Sequence, residues 1–175
     1  MARAELTGPG SDIGTLILRL TVGPMMIAHG LNKVQGPGGL DGTANYFRSL
    51  GLEPAAVHAR VAAATEIGTG ALLTVGALTP WASAGVIGIM ATASATDHKG
   101  KGFFIFKGGW EYVAVVGAAA AAISALGPGR FSVDAIRGKR RSGIHLAALS
   151  TAIGVGAAAG LLATSRRDVD ETPPS

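Results

Sequence analysis

The sequence predicts an all-α membrane protein, a polytopic four-helix transmembrane bundle with a fifth transmembrane helix after it. Apolar residues make up 48% of the 175 residues, and only 15% are charged. The apolar residues come in five blocks instead of amphipathic stripes, and about 20 such residues cross the hydrocarbon core of a bilayer. Towards the centres of these blocks the only full charges are Arg19 and Glu66.

Five spans are predicted, and Thr79-Pro80 makes a tight turn between the second and the third. The third and fourth are short, but Trp81, Trp110 and Tyr112 stand at their edges, where aromatic side chains prefer the headgroup level. A soluble bundle of buried helices is the alternative, but it needs polar helix faces, and the last three segments offer almost none. The predicted spans are residues 13–30, 57–78, 81–96, 110–126 and 144–164.

The segments outside the spans predict the domain organisation. Residues 40–50 predict a short helix along the interface, either a lid or a simple amphipathic connector. The chain as a whole divides into a tail (1–12), a four-helix domain (13–134), a basic linker (135–143), an additional helix (144–164) and a polar tail (165–175). The polar tail is predicted to be disordered.

Charge and cysteine content limit the function classes. The net charge is +4, and the densest basic run is Arg137, Lys139, Arg140 and Arg141. Such a run before a span is typical of a cytoplasmic flank that attracts anionic lipid, which favours an amino terminus inside the cell. Nucleic acid is not predicted as a partner. The chain has no cysteine, so thiolate metal sites and thiol chemistry are excluded, and no metal is predicted.

The two intramembrane charges predict a buried polar site. Spans one and two are antiparallel, and Arg19 and Glu66 each lie about ten residues, or about 15 Å, from the loop that joins them. An ion pair between Arg19 and Glu66 is therefore expected. It could fix helix register or line a ligand pocket, because intramembrane charges are usually paired or functional.

Further polar residues converge on the loop side of the predicted bundle. His29, Asn32 and Lys33 follow one another at the end of span one, and Glu111 and Tyr112 begin span four. One interpretation places Glu111 across a cavity from His29 and Lys33. The other makes Glu111 a favourable anion in the first turn of its helix.

Several of these residues belong to motifs whose order and spacing resemble the DoxX family of small bacterial membrane proteins. The resemblance covers about residues 13–134 and implies a four-helix bundle. The matching positions that it implies as a site are His29, Asn32, Lys33, Glu66, Glu111 and Tyr112; Arg19 joins them by the depth argument. The motifs are His29-Gly-Leu-Asn-Lys33, Phe47-Arg-Ser-Leu-Gly-Leu52, Glu66-Ile-Gly-Thr-Gly70, Phe103-Phe104, Gly109-Trp-Glu111-Tyr112 and Gly127-Pro-Gly-Arg-Phe-Ser-Val-Asp134.

The family's implied functions are quinone-coupled sulfur oxidation and membrane complexes for redox or oxidative stress. The first hypothesis is therefore a redox-associated subunit of the bacterial plasma membrane, with a pocket for a quinone or similar lipid-borne ligand. Whether it is an enzyme stays open. The second is a non-enzymatic scaffold for partner proteins, or a homo-oligomer, supported by Gly85 with Gly88 and by Gly156 with Gly160. A solute carrier and a haem site at His29 are less favoured.

Overall fold

The computed structural model describes residues 8–166, and the predicted all-α class is confirmed: these residues form helices and no strand beyond one isolated bridge. A single 3-10 turn, Ile105–Lys107, lies in the connection before α5. The α-helices are α1 (Pro9–Gln35), α2 (Gly39–Ser49), α3 (Ala55–Val75), α4 (Thr79–Ala95), α5 (Glu111–Leu126), α6 (Val133–Ile136) and α7 (Ile144–Ser165).

All five apolar blocks coincide with helices, namely α1, α3, α4, α5 and α7. Within the described residues α1 and α7 are long and apolar enough to cross a membrane, and α5 is apolar but shorter. The predicted tail 1–12 is wrong at its end, because Pro9 at the first position fixes a helical φ and starts α1 early. Residues 1–7 and the predicted disorder of residues 167–175 lie outside the described part.

Helices α1 and α3 pack closely because glycines stand where their backbones cross. A Cβ on Gly30 would lie 2.9 Å from the Ala63 carbonyl oxygen, and a Cβ on Gly70 would lie 2.6 Å from that of Gly23. Neither contact leaves room for a side chain. The crossing also fixes the register, because it places Gly30 level with Ala63 and therefore close to the level of Glu66.

Helix α7 packs on α4 in the same way. A Cβ on Gly154 would lie 2.5 Å from the Ala84 carbonyl oxygen and 2.9 Å from the Gly88 nitrogen. Gly88 therefore takes part in packing within the chain. A Cβ on Gly156 or on Gly160 would meet nothing within 4 Å among the described residues, so these two glycines face outward.

The helices alternate in direction, so the connections gather at two ends, which we call mouths. The α2 mouth is the end covered by α2 and the connection 96–110. The α6 mouth is the end covered by residues 127–143, which include α6, and by the turn between α3 and α4. Helix α7 runs from the α6 mouth to the α2 mouth, where the Glu53 amide donates to the Ser165 carbonyl at 2.8 Å.

Candidate functional site: a polar cavity under helix α2

The α2 mouth contains a buried ion pair. Lys33, in the last turn of α1, donates to Glu66 Oε1 at 2.9 Å and lies 2.8 Å from Oε2. Glu66 is only 4% exposed, and Oε2 accepts no hydrogen bond of good geometry from the described residues. The pair thus retains an acceptor oxygen without a donor aimed at it.

This ion pair lies on the wall of a mainly apolar cavity of about 160 Å³. Helices α2, α3, α4 and α7 supply the rest of the wall, and Leu161 is the contribution of α7. The polar lining residues are Lys33, Tyr46, His58, Glu66, Thr92, Thr96 and Asp97. An apolar cavity with a few convergent polar groups is the usual form of a small-molecule site.

Helix α2 covers the cavity and is bonded to both neighbours. Thr43 Oγ1 donates to the Lys33 carbonyl at 3.0 Å, and the Tyr46 hydroxyl donates to the Asp97 carboxylate. Burial raises the pKa of Tyr46, and its bond to Asp97 raises it further, so the phenol remains a donor. The structure therefore favours the lid interpretation of this helix over the plain connector.

Asp97 is held as a carboxylate at the rim of the cavity. Burial alone would raise its pKa, but hydrogen bonds from Tyr46 and Lys101 and the charges of Lys101 and His98 outweigh burial and lower it. The Lys101 Nζ lies 3.2 Å from Asp97 Oδ1. The attachment of α2 to the 96–110 connection is consequently ionic at neutral pH.

His29 and Tyr112 form a second polar cluster, outside the cavity. The Tyr112 hydroxyl lies 3.0 Å from His29 Nε2 and 3.3 Å from Met25 Sδ. Tyr112 is near enough to Glu66 to interact with its charge, although the histidine ring itself is exposed. The two clusters therefore adjoin each other through Glu66.

The other two residues predicted at this mouth, Asn32 and Glu111, lie at the α2 mouth but outside both polar clusters. Glu111 accepts a hydrogen bond from the Ile105 amide at 3.1 Å and does not line the cavity, so its interpretation as a carboxylate facing His29 and Lys33 is wrong. It occupies the first turn of α5, as the alternative predicted. Asn32 is exposed and points along the end of α1.

The predicted ion pair between Arg19 and Glu66 is wrong. Arg19 lies at the α6 mouth, where it is 1% exposed. Its guanidinium donates to four backbone carbonyls, at 2.9 Å to Leu73, 3.1 Å to Thr74 and 2.9 Å to Phe131, and also to Pro128. Arg19 thus donates four of its five N–H groups to backbone carbonyls and lines no cavity of the α2 mouth.

The error arose from the length of α1. The helix continues to Gln35, which places Arg19 about 24 Å from its end, whereas Glu66 is about 17 Å from the start of α3. The glycine crossing sets Glu66 level with residues near Gly30. The base that reaches Glu66 is therefore Lys33, whose side chain extends back along the helix.

The structure also assigns roles to residues that sequence reasoning missed. Tyr46, His58 and Asp97 line the cavity. At the α6 mouth, Asp134 accepts hydrogen bonds from the Leu78 and Thr79 amides, each at 3.0 Å, and caps α4. For Tyr46 and Asp97 the sequence did offer a signal: Tyr46 lies on the predicted lid helix, and Asp97 is the acidic residue directly after a predicted span.

Comparison with known proteins finds a match to one family. The model of the DoxX family matches residues 14–99, which include most of α1 and all of α2, α3 and α4. The Bacillus subtilis (strain 168) protein named "Putative oxidoreductase CatD" is 41% identical over 68 residues, which are 39% of this chain and 47% of that protein. The alignment thus spans less than half of that relative. No solved structure gives a significant match.

Proposed function

We propose that this chain is a redox-associated membrane subunit whose cavity binds a quinone headgroup. The proposal starts from the match of residues 14–99 to the DoxX family. The family is membrane-associated, and two helices of this chain can span a bilayer. In our proposal α3, α4 and α5 cross as well, in a bacterial plasma membrane. The name of the Bacillus relative supports redox work for that protein, and we extend it to this chain.

One observation supports the ligand site above all others. Glu66 is buried and ion-paired, its Oε2 accepts no well-aligned hydrogen bond from the described residues, and the residue lines a mainly apolar cavity. The Lys33 ammonium already lies 2.8 Å from this oxygen, but a carboxylate oxygen has two lone pairs and can accept a further hydrogen bond. A ligand with a hydroxyl group would supply that donor.

The size of the cavity fits a single ring. Its volume is about 160 Å³, and an apolar cavity of roughly 150 Å³ holds benzene. Phe47, Leu50 and Ile89 line it beside the ion pair. The ring of a quinone would lie among these side chains, and its isoprenoid chain would leave towards the lipid.

Both oxidation states of such a ligand can be bound. A quinone carbonyl would accept a hydrogen bond from the Lys33 ammonium, which has N–H groups beyond the one that it donates to Glu66 Oε1. A quinol hydroxyl would donate to Glu66 Oε2 and could release its proton there. Oxidation of the quinol would release a second proton to water at the α2 mouth, and its two electrons would go to a partner subunit that holds a redox cofactor.

The test is native mass spectrometry of the full chain extracted gently from its own membrane. The informative variant is Lys33→Met with Glu66→Gln, because replacing both members of a buried pair is often nearly neutral for stability. We expect the wild type to retain a quinone and this double variant to lose it. Glu111→Gln is the matched control, since it removes a carboxylate at the same mouth but outside the cavity.

Two results would contradict the proposal. One is a wild type that carries no quinone even when menaquinone or ubiquinone is added to the vesicles. The other is a folded double variant that binds quinone as the wild type does. Exchange of the charges, Lys33→Glu with Glu66→Lys, sharpens the test because it keeps an ion pair and misplaces the acceptor.

A scaffold for partner proteins is the second candidate, and one observation favours it. Gly156 and Gly160 lie on the outward side of α7, with nothing in the described part of the chain within 4 Å of a Cβ added to either, so another helix could approach that side closely. Stable protein partners in the same spectra, without a quinone and lost on Gly156→Leu, would favour this function over the first.

A further inference from the structure

We propose that the α6 mouth contains a binding site for the headgroup of an anionic phospholipid, in the groove between Trp81 and the basic connection 137–143. The site lies at the opposite end of the bundle from the quinone cavity and does not depend on it. The chemistry it would recognise is a phosphodiester beside a membrane-buried acyl chain.

The groove is a formed depression of about 180 Å³. Trp81 stands on one side and is 61% exposed, at the start of α4. Lys139, Arg141 and Asp134 supply the charged part of the wall, and Leu78, Pro80 and Pro128 complete the apolar part. An aromatic ring at a helix end next to two cations is the combination that headgroups contact.

The basic connection has a defined backbone, which the sequence did not predict. The Lys139 amide donates to the Asp134 carbonyl at 2.8 Å, and the Gly143 amide donates to the Ala125 carbonyl at 2.7 Å. A side chain on Gly127 would lie 2.6 Å from the Arg141 carbonyl oxygen. These contacts fix the backbone that carries both cationic side chains beside the groove.

The charges of the groove are free to bind an anion. Within residues 8–166 the Lys139 and Arg141 side chains take part in no hydrogen bond or ion pair. The nearby carboxylates are already satisfied: Asp134 caps α4, and Asp12 accepts from Arg140 at 2.7 Å. Besides Arg19, the described part of this mouth carries five cationic residues against these two acids, namely Arg130, Arg137, Lys139, Arg140 and Arg141. The excess positive charge complements a phosphodiester.

Exposed apolar side chains elsewhere at the α6 mouth would provide contact for the lipid tails. Ile136 is 86% exposed and Ile144 is 78% exposed, and Phe131 is also exposed. Fully solvated isoleucines beside a basic segment are typical of a surface that lies in the membrane interface. The same face therefore offers cations for the headgroup and apolar area for the chains.

The experiment uses the two tryptophans as reporters. In the full chain with Trp110→Phe, Trp81 is the remaining fluorophore. Vesicles are prepared with dibrominated acyl chains either on phosphatidylglycerol or on phosphatidylcholine, at equal total composition. We expect brominated phosphatidylglycerol to quench Trp81 more strongly than brominated phosphatidylcholine, because the anionic lipid is held next to the ring.

Lys139→Gln with Arg141→Gln tests the cations, and each lost charge should reduce the preference for the anionic lipid by roughly fivefold. Both side chains are exposed and the bonds of this segment use backbone atoms, so the fold should persist. Lys99→Gln with Lys107→Gln, at the α2 mouth, is the matched control and should leave the preference unchanged. Equal quenching by both lipids, or a preference that survives the double substitution, would overturn the proposal. Neither result bears on quinone binding.

Discussion

Each mouth of the bundle contains a basic side chain of α1, but Arg19 is buried and Lys33 only half-buried, and the two are bonded differently. At the α6 mouth Arg19 donates to four carbonyls, and the neighbouring Asp134 is occupied by α4. At the α2 mouth Lys33 meets one carboxylate whose second oxygen lacks an aligned donor among the described residues, next to a cavity. A saturated buried charge stabilises a fold, whereas an incompletely bonded one marks a place for a ligand.

The largest effect is expected from breaking the saturated mouth. Arg19→Met should lower the free energy of unfolding by roughly 3 to 5 kcal/mol, because four buried carbonyls lose their donor at once. The measurement is unfolding of the protein in mixed micelles, followed by circular dichroism. Arg60→Met, which removes an exposed base from α3, is the control and should change stability little. An Arg19→Met protein as stable as the wild type would remove the contrast between the mouths.

The next effect should come from the cap of α4. Asp134→Ala should cost about 1 to 3 kcal/mol in the same assay, because the Leu78 and Thr79 amides lose their acceptor. Asp134→Asn retains one carbonyl oxygen and should lie between this variant and the wild type. Asp41→Ala, an exposed acid of α2, is the control. Equal stability of all three variants would mean that water replaces the cap.

A smaller effect, on opening more than on stability, is expected at the α2 mouth. Tyr46→Phe removes a hydrogen bond that lowers the pKa of Asp97, so this pKa should rise and α2 should detach more readily. The lowered pKa means that ionised Asp97 stabilises the attached lid at every pH above the ordinary pKa of an aspartate, about 4. This stabilisation is lost as the pH falls further and Asp97 takes up a proton, so the wild-type lid should loosen only below about pH 4.

The absence of native cysteine makes this measurable with spin labels at Asp41→Cys and Lys99→Cys. The distribution of distances between the labels should broaden on acidification in the wild type. In the Tyr46→Phe variant, which lacks the bond to Asp97, it should already be broad at neutral pH and change little on acidification. Thr43→Val, which loses the bond to α1 and leaves Asp97 untouched, should broaden the distribution at neutral pH and keep the response to acid. Identical pH profiles for Tyr46→Phe and the wild type would mean that Asp97 does not hold the lid.

The smallest effect should be a gain at the α6 mouth. Leu78 has a left-handed backbone with φ of 49°, which is costly for a leucine. Asparagine adopts this conformation more easily, so Leu78→Asn should raise stability by less than about 1 kcal/mol. Val75→Asn, an exposed position inside α3, is the control and should not stabilise. A loss at Leu78 would indicate that its side chain contributes packing that outweighs the strain.

The sequence predicted most of the helices and part of the site. Apolar blocks with Gly and Pro at their boundaries predicted the helices well: α7 spans residues 144–165, and the prediction was 144–164. The reason is that a long apolar segment has few alternatives to a helix, which satisfies all of its backbone hydrogen bonds internally. Pairing between helices was harder, since it depends on register. Gly30 and Gly70 set that register through close contact between α1 and α3. Counting residues from the loop to each charge did not include this contact, so it did not reveal that Lys33, and not Arg19, reaches Glu66.

The site was predicted where residues share a helix end and missed where distant segments meet. Lys33 and Glu66 do come together, as do His29 and Tyr112. Tyr46 meets Asp97 only because α2 packs over the 96–110 connection. Hydrophobic periodicity predicts helices, but it does not predict on which distant segment a helix packs. Their binding roles, and that of Asn32, stay predictions.

The crossing of α4 and α7 has a consequence for assembly. Gly88 and Gly154 meet as two associating subunits would, but here a covalent connection holds them together, so the encounter takes place at a high effective concentration. A wall of the cavity that would otherwise depend on protein abundance is thereby present in every copy of the chain. If the chain were cut within residues 137–143, α7 would become a separate chain, and its Leu161 would line the cavity only when that chain binds. The occupancy would then depend on the concentration of the separate α7 chain.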